Sequence, residues 1–178
     1  MSRPSKPEKA KLIVGIFTRE KDLAAPFARE LESAFGPADM VSRWLPFDFT
    51  SYYEKEMGGS LSRRMFSFSK LVEQGALADI KARTNDLEKQ FLENGARRVN
   101  ADPGILSLER FVLATGKNFT HRIYLKKGIY ADLTLVYTKG AFRELPWTYP
   151  DYKDRRLLGF LEKAREKYVL DLKGPGGK

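Results

Sequence analysis

Three observations predict an α+β domain built on a largely antiparallel sheet. Short apolar blocks and alternating stretches interleave along the chain with stretches in which apolar residues step by three and four. The first half orders its elements strand, helix, strand, strand, helix, strand, the ferredoxin-like βαββαβ order. The second half carries two Lys-Gly hairpin signals and one closing amphipathic pattern, which predict an antiparallel β-meander followed by a C-terminal helix, with the helices mainly on one face. With 178 residues, 42% of them hydrophobic, the chain is long enough to bury a core without staples. A single domain over residues 11–170 is expected, between a flexible basic tail at 1–10 and a flexible glycine-rich tail at 171–178.

In order, Lys11 to Thr18 (KLIVGIFT) is an almost continuous apolar run, the pattern of a strand covered on both faces. Asp22 is placed to cap a helix on which Leu23, Phe27, Leu31 and Ala34 recur, with Pro26 in its first turn and Gly36-Pro37 beyond its end. Val41 to Phe49 reads as extended, bent or at an edge because of Pro46, and Thr50 to Leu61 reads as a loop. Arg63 to Leu71 alternates Phe66 and Phe68 with serines, a half-buried strand. Leu77, Ile80, Thr84, Leu87 and Phe91 form the clearest helical stripe, which Gly95 is placed to end. Arg97 to Asn100 predicts a strand stopped by an Asp102-Pro103-Gly104 turn, and Ser107 predicts the cap of a short helix burying Leu108, Phe111, Val112 and Thr115. His121 to Lys126 and Ile129 to Tyr137, joined through Lys127-Gly128, then Lys139-Gly140 leading into Phe142 to Trp147, give the meander. Leu157, Leu161, Ala164 and Tyr168 share one face of the last helix.

Composition removes several chemistries. Without cysteine there is no disulfide, iron–sulfur cluster, thiolate zinc site or cysteine nucleophile. No apolar run approaches membrane-spanning length, and the opening MSRPSKPEKAK has no apolar signal segment behind its charges, so a cytoplasmic protein without a membrane partner is expected. The net charge of +9 invites an anionic partner, but residues 1–11 hold +3 of it and residues 171–178 another +1, leaving +5 for the body.

The candidate chemistry falls into three sets. His121, the only histidine, titrates near neutrality when unperturbed and is the first candidate for proton transfer. Asp48, Glu54, Glu56, Asp102, Asp132 and Asp151 are the carboxylates available to orient it or to hold a divalent ion, although none has EF-hand or zinc-site spacing. Asp48 stands out between Phe47 and Phe49, where a buried carboxylate needs a partner. Arg63-Arg64, Arg97-Arg98, Arg122, Lys117, Lys126 and Lys127 are candidates for a phosphate patch, with at most one of each adjacent arginine pair on a given face of a strand. Tyr52, Tyr53, Tyr124, Tyr130, Trp147 and Tyr149 are candidates to stack on bases, but the RNA-recognition signature is absent, so RNA is a partner the residues permit without specifying.

The stretches FDFTSYYEKEMG (Phe47 to Gly58), RRVNADPG (Arg97 to Gly104), HRIYLKKGIYA (His121 to Ala131) and LPWTYPDY (Leu145 to Tyr152) together resemble one family, the uncharacterised prokaryotic domain-of-unknown-function family 4416. The resemblance covers nearly the whole folded body in the same motif order. Its motif positions fall here on Asp48, Thr50, Tyr52, Tyr53, Glu56, Asn100, Asp102, His121, Arg122, Tyr130, Trp147, Tyr149 and Asp151. The family has no settled activity, and some members carry the label "GTP-binding protein". A P-loop is ruled out: Gly116-Lys117 is followed by Asn118, and Phe111 stands where the first glycine belongs. The first strand also lacks a dinucleotide-binding glycine fingerprint.

Three functions are carried forward. The leading expectation is binding of a nucleotide or other phosphate-bearing ligand without a P-loop, with Arg98, Arg122 and His121 near the anion, Asn100 also in the ligand site, and Tyr52 or Tyr149 against a ring. The alternative is a small hydrolase or transferase using His121 with Asp48, Glu56 or Asp102, with or without a divalent metal; it requires a carboxylate within hydrogen-bond reach of His121. The third is an interaction or assembly module, which requires an exposed apolar patch and no polar pocket.

Overall fold

The computed structural model describes residues 1–48 and 54–174. Among them, the order is β1 (Ala10–Thr18), α1 (Ala24–Phe35), β2 (Ala38–Val41), β3 (Leu45–Phe47), α2 (Glu54–Met57), β4 (Leu61–Val72), α3 (Leu77–Lys89), β5 (Leu92–Glu93), β6 (Ala96–Arg97), β7 (Val99–Leu106), β8 (Arg110–Thr115), β9 (Arg122–Lys126), β10 (Ile129–Thr138), β11 (Ala141–Glu144) and α4 (Arg155–Lys173). The fold is α+β. Nine strands form one antiparallel sheet in the order β11-β10-β8-β7-β1-β4-β2, with β3 also on β4 and β9 also on β10, while β5 and β6 make a separate small hairpin. Strands β7, β1, β4 and β2 therefore lie side by side in that order. No helix among the described residues is long and apolar enough to cross a membrane.

The centre of the sheet is buried on both faces, which is why β1 reads as a continuous apolar run. Leu12, Val14 and Ile16 meet Phe27 and Leu31 of α1 and Ile80 and Leu87 of α3. Ile13 points the other way, with Met65, Leu106, Phe111 and Leu135, toward Leu157, Phe160, Leu161 and Ala164 of α4. The helices are thus divided between the faces rather than gathered on one. Lys11 is fully buried on β1, where its ammonium donates to Asp39, Asp171 and the Phe68 carbonyl, pinning β2 and the C-terminal end of α4 to the sheet.

Two expectations fail in an informative way. Asp102-Pro103-Gly104 is not a turn but the middle of β7, paired with Gly15, Val14 and Ile13 of β1. Pro103 is tolerated there because it sits where the ladder to β8 ends: β8 pairs only with Gly104, Ile105 and Leu106. Gly104 is required by close packing, since a Cβ on it would stand 2.8 Å from the Val112 carbonyl and 2.7 Å from the Phe111 ring. The expected helix after Ser107 is instead strand β8. Phe111 and Leu113 enter the α4-side cluster while Val112 and Ala114 join Leu77 and Ala78 of α3 on the opposite face. A short apolar run buried on both faces mimics a helical stripe.

Smaller differences are local. The first helix is entered through a 3-10 turn at Lys21–Leu23, and no side chain caps it, so Asp22 does not serve as the cap. The helix expected to end at Gly95 ends at Lys89, and Asn94-Gly95 instead turns the β5–β6 hairpin. A helical turn, Glu54–Met57, falls within the expected loop. The two Lys-Gly pairs do turn the meander: Lys127, Gly128, Lys139 and Gly140 all have positive φ, the signature of a tight two-residue hairpin. Strands β9 and β11 share one edge of β10, β9 pairing at Ile129–Asp132 and β11 at Leu135–Thr138. The gap between them is closed by the following segment, where Trp147 Nε1 donates to the Leu133 carbonyl (2.8 Å) and Thr148 Oγ1 to that of Thr134 (2.6 Å).

Candidate functional site

Where the β7–β8 ladder stops, the two strands part and a cavity of about 660 Å³ opens between them. Residues Val99 to Pro103 keep their β1 partners but have none on β8 among the described residues. The unpaired edge of β7 is satisfied by α3 instead. Glu88 Oε1 accepts the Ala101 amide (2.9 Å), and Lys81 Nζ donates to the Ala101 carbonyl (2.7 Å). Pro103 has the same parity as Ala101, so the position facing the gap is one that lacks an N–H to satisfy. Lys81, Asn85 and Glu88 recur at helical spacing, forming a polar row on α3 aimed at this gap.

Asp102 and Asn100, two residues apart on β7, project to the same side. Asn100 Nδ2 donates to Asp102 Oδ1 (3.0 Å) and receives Arg97 Nη1 on its own oxygen (2.7 Å). Lys81 and Arg63 flank the Asp102 carboxylate at 3.7 and 3.6 Å. Arg63, 3% exposed, lies 4.5 Å from the Phe47 ring centroid and 5.1 Å from that of Tyr152, and it forms a short ion pair with Asp151. Burial holds the Asp151 carboxyl above the ordinary range despite Arg63, which pulls the other way. Glu88 is raised for the same reason, against the pull of Lys81. Tyr152 sits in the cavity wall, and its hydroxyl is buried and without a hydrogen-bond partner among the described residues. Burial pushes that phenol far upward, so it remains a proton donor. A buried polar atom left open in a cavity wall is a place for a ligand or an ordered water.

The opposite wall is built by β8, β10 and the segment after β11. Asp132 of β10 lies opposite Leu113 and is almost fully buried. Its Oδ2 receives Arg122 Nε (2.9 Å) and stands 3.2 Å from His121 Nε2. Arg122 also donates to the Lys117 carbonyl (2.9 Å) and to the Tyr149 hydroxyl, tying the β8–β9 loop to the segment that roofs the cavity. His121 is stacked on Trp147 (4.9 Å, 12°) with Phe119 edge-on, and its Nδ1 is buried without a partner among the described residues. The imidazole thus backs Asp132 from behind, and Asp132 is the group of this pair that reaches the cavity wall.

Three of the four motif stretches that suggested a family meet at this one cavity. A family model described as a domain of unknown function (DUF4416) matches residues 8–168. The chain belongs to that family. No curated protein and no solved structure matches it. Of the DUF4416 motif positions, Asn100, Asp102, Tyr149 and Asp151 line the cavity, and His121, Arg122 and Trp147 stand directly behind its wall. Glu56 joins indirectly. It receives Arg97 Nε and Nη2 at 2.7 and 2.6 Å, and that pairing lowers its carboxyl below the usual range. Asp48 is exposed and outside the cavity wall, and Tyr52 and Tyr53 lie outside the described residues.

Other candidates are held elsewhere. Arg98 pairs with Glu20 and Glu93, Arg64 donates to the Ser42 carbonyl beside Trp44, and Lys126 and Lys127 both clasp Asp79 of α3. Sequence reasoning missed Lys81, Glu88 and Tyr152. The first two carry a visible signal, a lysine and a glutamate seven residues apart on the edge of the best apolar stripe. Tyr152 carries none. Among the described residues no group of three or more histidine or carboxylate side chains is placed to hold a metal ion.

Proposed function

We propose that this DUF4416 protein binds a nucleotide or another phosphate-bearing small ligand in the cavity between β7 and β8, without a P-loop. The observation that carries this reading is the convergence of Arg63, Lys81, Arg97 and Lys117 with Phe47 and Tyr149 around one cavity. Asp132 and Asp151, two of the three carboxylates there, are each engaged by an arginine, and the third, Asp102, is flanked by Arg63 and Lys81. Among the residues that line the cavity, four cationic side chains face three carboxylates, an excess of one positive charge. A volume of about 660 Å³ lies within the range of small-ligand sites. The Tyr152 hydroxyl and the Asn85 amide add neutral hydrogen-bonding groups that suit a sugar or base.

Titration calorimetry of the whole chain with ATP, GTP, their monophosphates and inorganic phosphate tests the reading. At least one nucleotide should bind, and Lys117→Glu, a charge reversal at an exposed position, should weaken it tenfold or more. Absence of binding across that set, or an unchanged affinity in Lys117→Glu, removes the reading.

The alternative, a small hydrolase or transferase, is favoured by one observation, the 3.2 Å contact between His121 and Asp132. In that reading Asp132 faces the substrate and His121 positions it. Loss of turnover in His121→Gln with ligand affinity retained would select it over simple binding.

A further inference from the structure

The sheet face that holds the cavity continues outward, uncovered, to the edge of the sheet. Strand register aligns Leu113, Asp132 and Arg122 in one row across β8, β10 and β9, and Thr115, Tyr130 and Tyr124 in the next. The first row ends the cavity wall. The second starts in that wall at Thr115 and runs out through Tyr130 to Tyr124, which is 58% exposed and edge-on to Tyr130 at 5.4 Å. Tyr149, 45% exposed, stands at the cavity mouth and is held by Arg122. Helix α4 packs on this face against β4 and β11, with Phe111 and Leu113 of β8 in the same cluster, and Tyr124 lies beyond it, exposed. The open part is therefore an aromatic strip leading away from a cationic cavity, on a chain of net charge +9.

Exposed aromatics leading out of a cavity lined by Arg63, Lys81, Arg97 and Lys117 match one chemistry: bases stack on the rings while a phosphate meets the charges of the cavity. From β8 to β9 the strip crosses two inter-strand spacings, about 10 Å, which is the length of roughly three stacked nucleotides at about 3.4 Å each. We infer that the partner is a single-stranded nucleic acid, its terminal nucleotide held in the cavity and the following bases stacked along Tyr149, Tyr130 and Tyr124. This rests on the reading of the cavity as a phosphate-ligand site and names the molecule that carries the phosphate.

The test is fluorescence anisotropy on the whole chain, with a single-stranded RNA dodecamer bearing a terminal phosphate, its DNA counterpart, the same strands annealed to complements, and a mononucleotide as competitor. The single strand should bind at least tenfold more tightly than either the mononucleotide or the duplex, and its affinity should fall with salt. Tyr124→Ala should weaken the dodecamer about tenfold and leave the mononucleotide unchanged, since Tyr124 is outside the cavity wall. A mononucleotide that binds as tightly as the dodecamer overturns the inference and leaves the cavity reading standing. A dodecamer bound through Tyr124 but indifferent to Lys117→Glu overturns the inference, because its end is then not held in the cavity; mononucleotide affinity in Lys117→Glu separately decides the cavity reading. A dimer seen in sedimentation and lost in Tyr124→Ala, without nucleic-acid binding, assigns the strip to a second copy of the chain and also overturns the inference.

Discussion

Replacing Arg63 by methionine isolates the interaction on which the floor of the cavity depends. The arginine is 3% exposed, and its guanidinium is the ion-pair partner of Asp151, whose side chain is 9% exposed. Methionine retains most of the packing against Phe17, Phe47 and Tyr152 but leaves Asp151 buried without a counter-charge. Breaking a buried pair from one side costs about 3–5 kcal/mol, against a total stability on the order of 5–15 kcal/mol for a domain. With a urea dependence of about 2 kcal/mol/M, the midpoint should fall by roughly 2 M at pH 7. The acid dependence has a definite sign. Asp151 already titrates above its unfolded value because of burial, and Arg63 opposes that rise, so removing Arg63 raises it further. A carboxyl with a raised folded pKa contributes stability below its unfolded pKa and loses it as pH climbs through the folded value. The penalty of Arg63→Met should therefore be largest at neutral pH and shrink as the solution is acidified. Arg63→Met/Asp151→Asn should recover most of the loss at pH 7. Urea melts of the three proteins at neutral and mildly acidic pH decide the matter. A single-variant loss below about 1 kcal/mol, or a double variant no more stable than the single, would refute the account of Asp151 as a charge dependent on Arg63.

Three other outcomes are expected. Gly104→Ala should lose about 1–3 kcal/mol in urea melts, because the new methyl has only the Val112 carbonyl and the Phe111 ring to push against; an unchanged midpoint would mean that β8 yields freely. Tyr152→Phe removes a buried hydroxyl without a partner, so the ligand-free protein should be as stable as the parent or more so by up to about 1 kcal/mol, while nucleotide affinity falls; a marked loss of stability would show that the hydroxyl is already satisfied. Asp154 caps α4 by accepting the Arg156 amide at 2.8 Å, and the Arg156 side chain, then burial in the opposite sense, set a carboxyl pulled down to about 2. Its contribution is present above the unfolded pKa and lost as pH falls through about 2, so Asp154→Ala should cost about 1 kcal/mol at pH 7 and progressively less in strong acid, measured by the same melts.

The elements that the sequence makes legible are those whose local signal has one meaning. Lys127-Gly128 and Lys139-Gly140 are flanked by alternating strands and turn as expected, and α1, α3 and α4 follow their apolar stripes. Strand β8 was hidden because Phe111 to Ala114 is buried on both faces, which erases the alternation that separates strand from helix. The Asp-Pro-Gly run was hidden because its turn chemistry is overridden by pairing with β1, a contact nearly ninety positions away in the chain. For the candidate site, Asn100, Asp102, Tyr149 and Asp151 could be singled out as residues, but not their common cavity. That depends on strand order, which brings Arg63 of β4 and Asp132 of β10 onto one sheet face with β1, β7 and β8 between them. The spacing of Lys81 and Glu88 was visible but their role was not, for a related reason. On an isolated helix they read as a solvated row, and only the missing β8 partner of Ala101 gives them acceptors and donors to meet.

The cavity and the irregularity of β7 are one feature. A strand between β1 and β8 would ordinarily bond on both edges along its length, and Pro103 withdraws the N–H that would extend the β8 ladder past Gly104. Once the ladder ends, the Ala101 amide and carbonyl must be satisfied by something other than a strand. The groups that reach them come from α3 on the opposite face, where Lys81 and Glu88 bond the Ala101 carbonyl and amide. Lys81 stays in the cavity wall, 3.7 Å from Asp102, with Glu88 behind it, its carboxyl raised by burial. An apolar repair of this region, with leucines at both positions, would leave the Ala101 groups unpaired unless β7 and β8 closed together, and closing them would erase the cavity. The polar row on α3 is therefore what allows the sheet to stay open, and an open sheet is what gives this chain a place to hold a ligand.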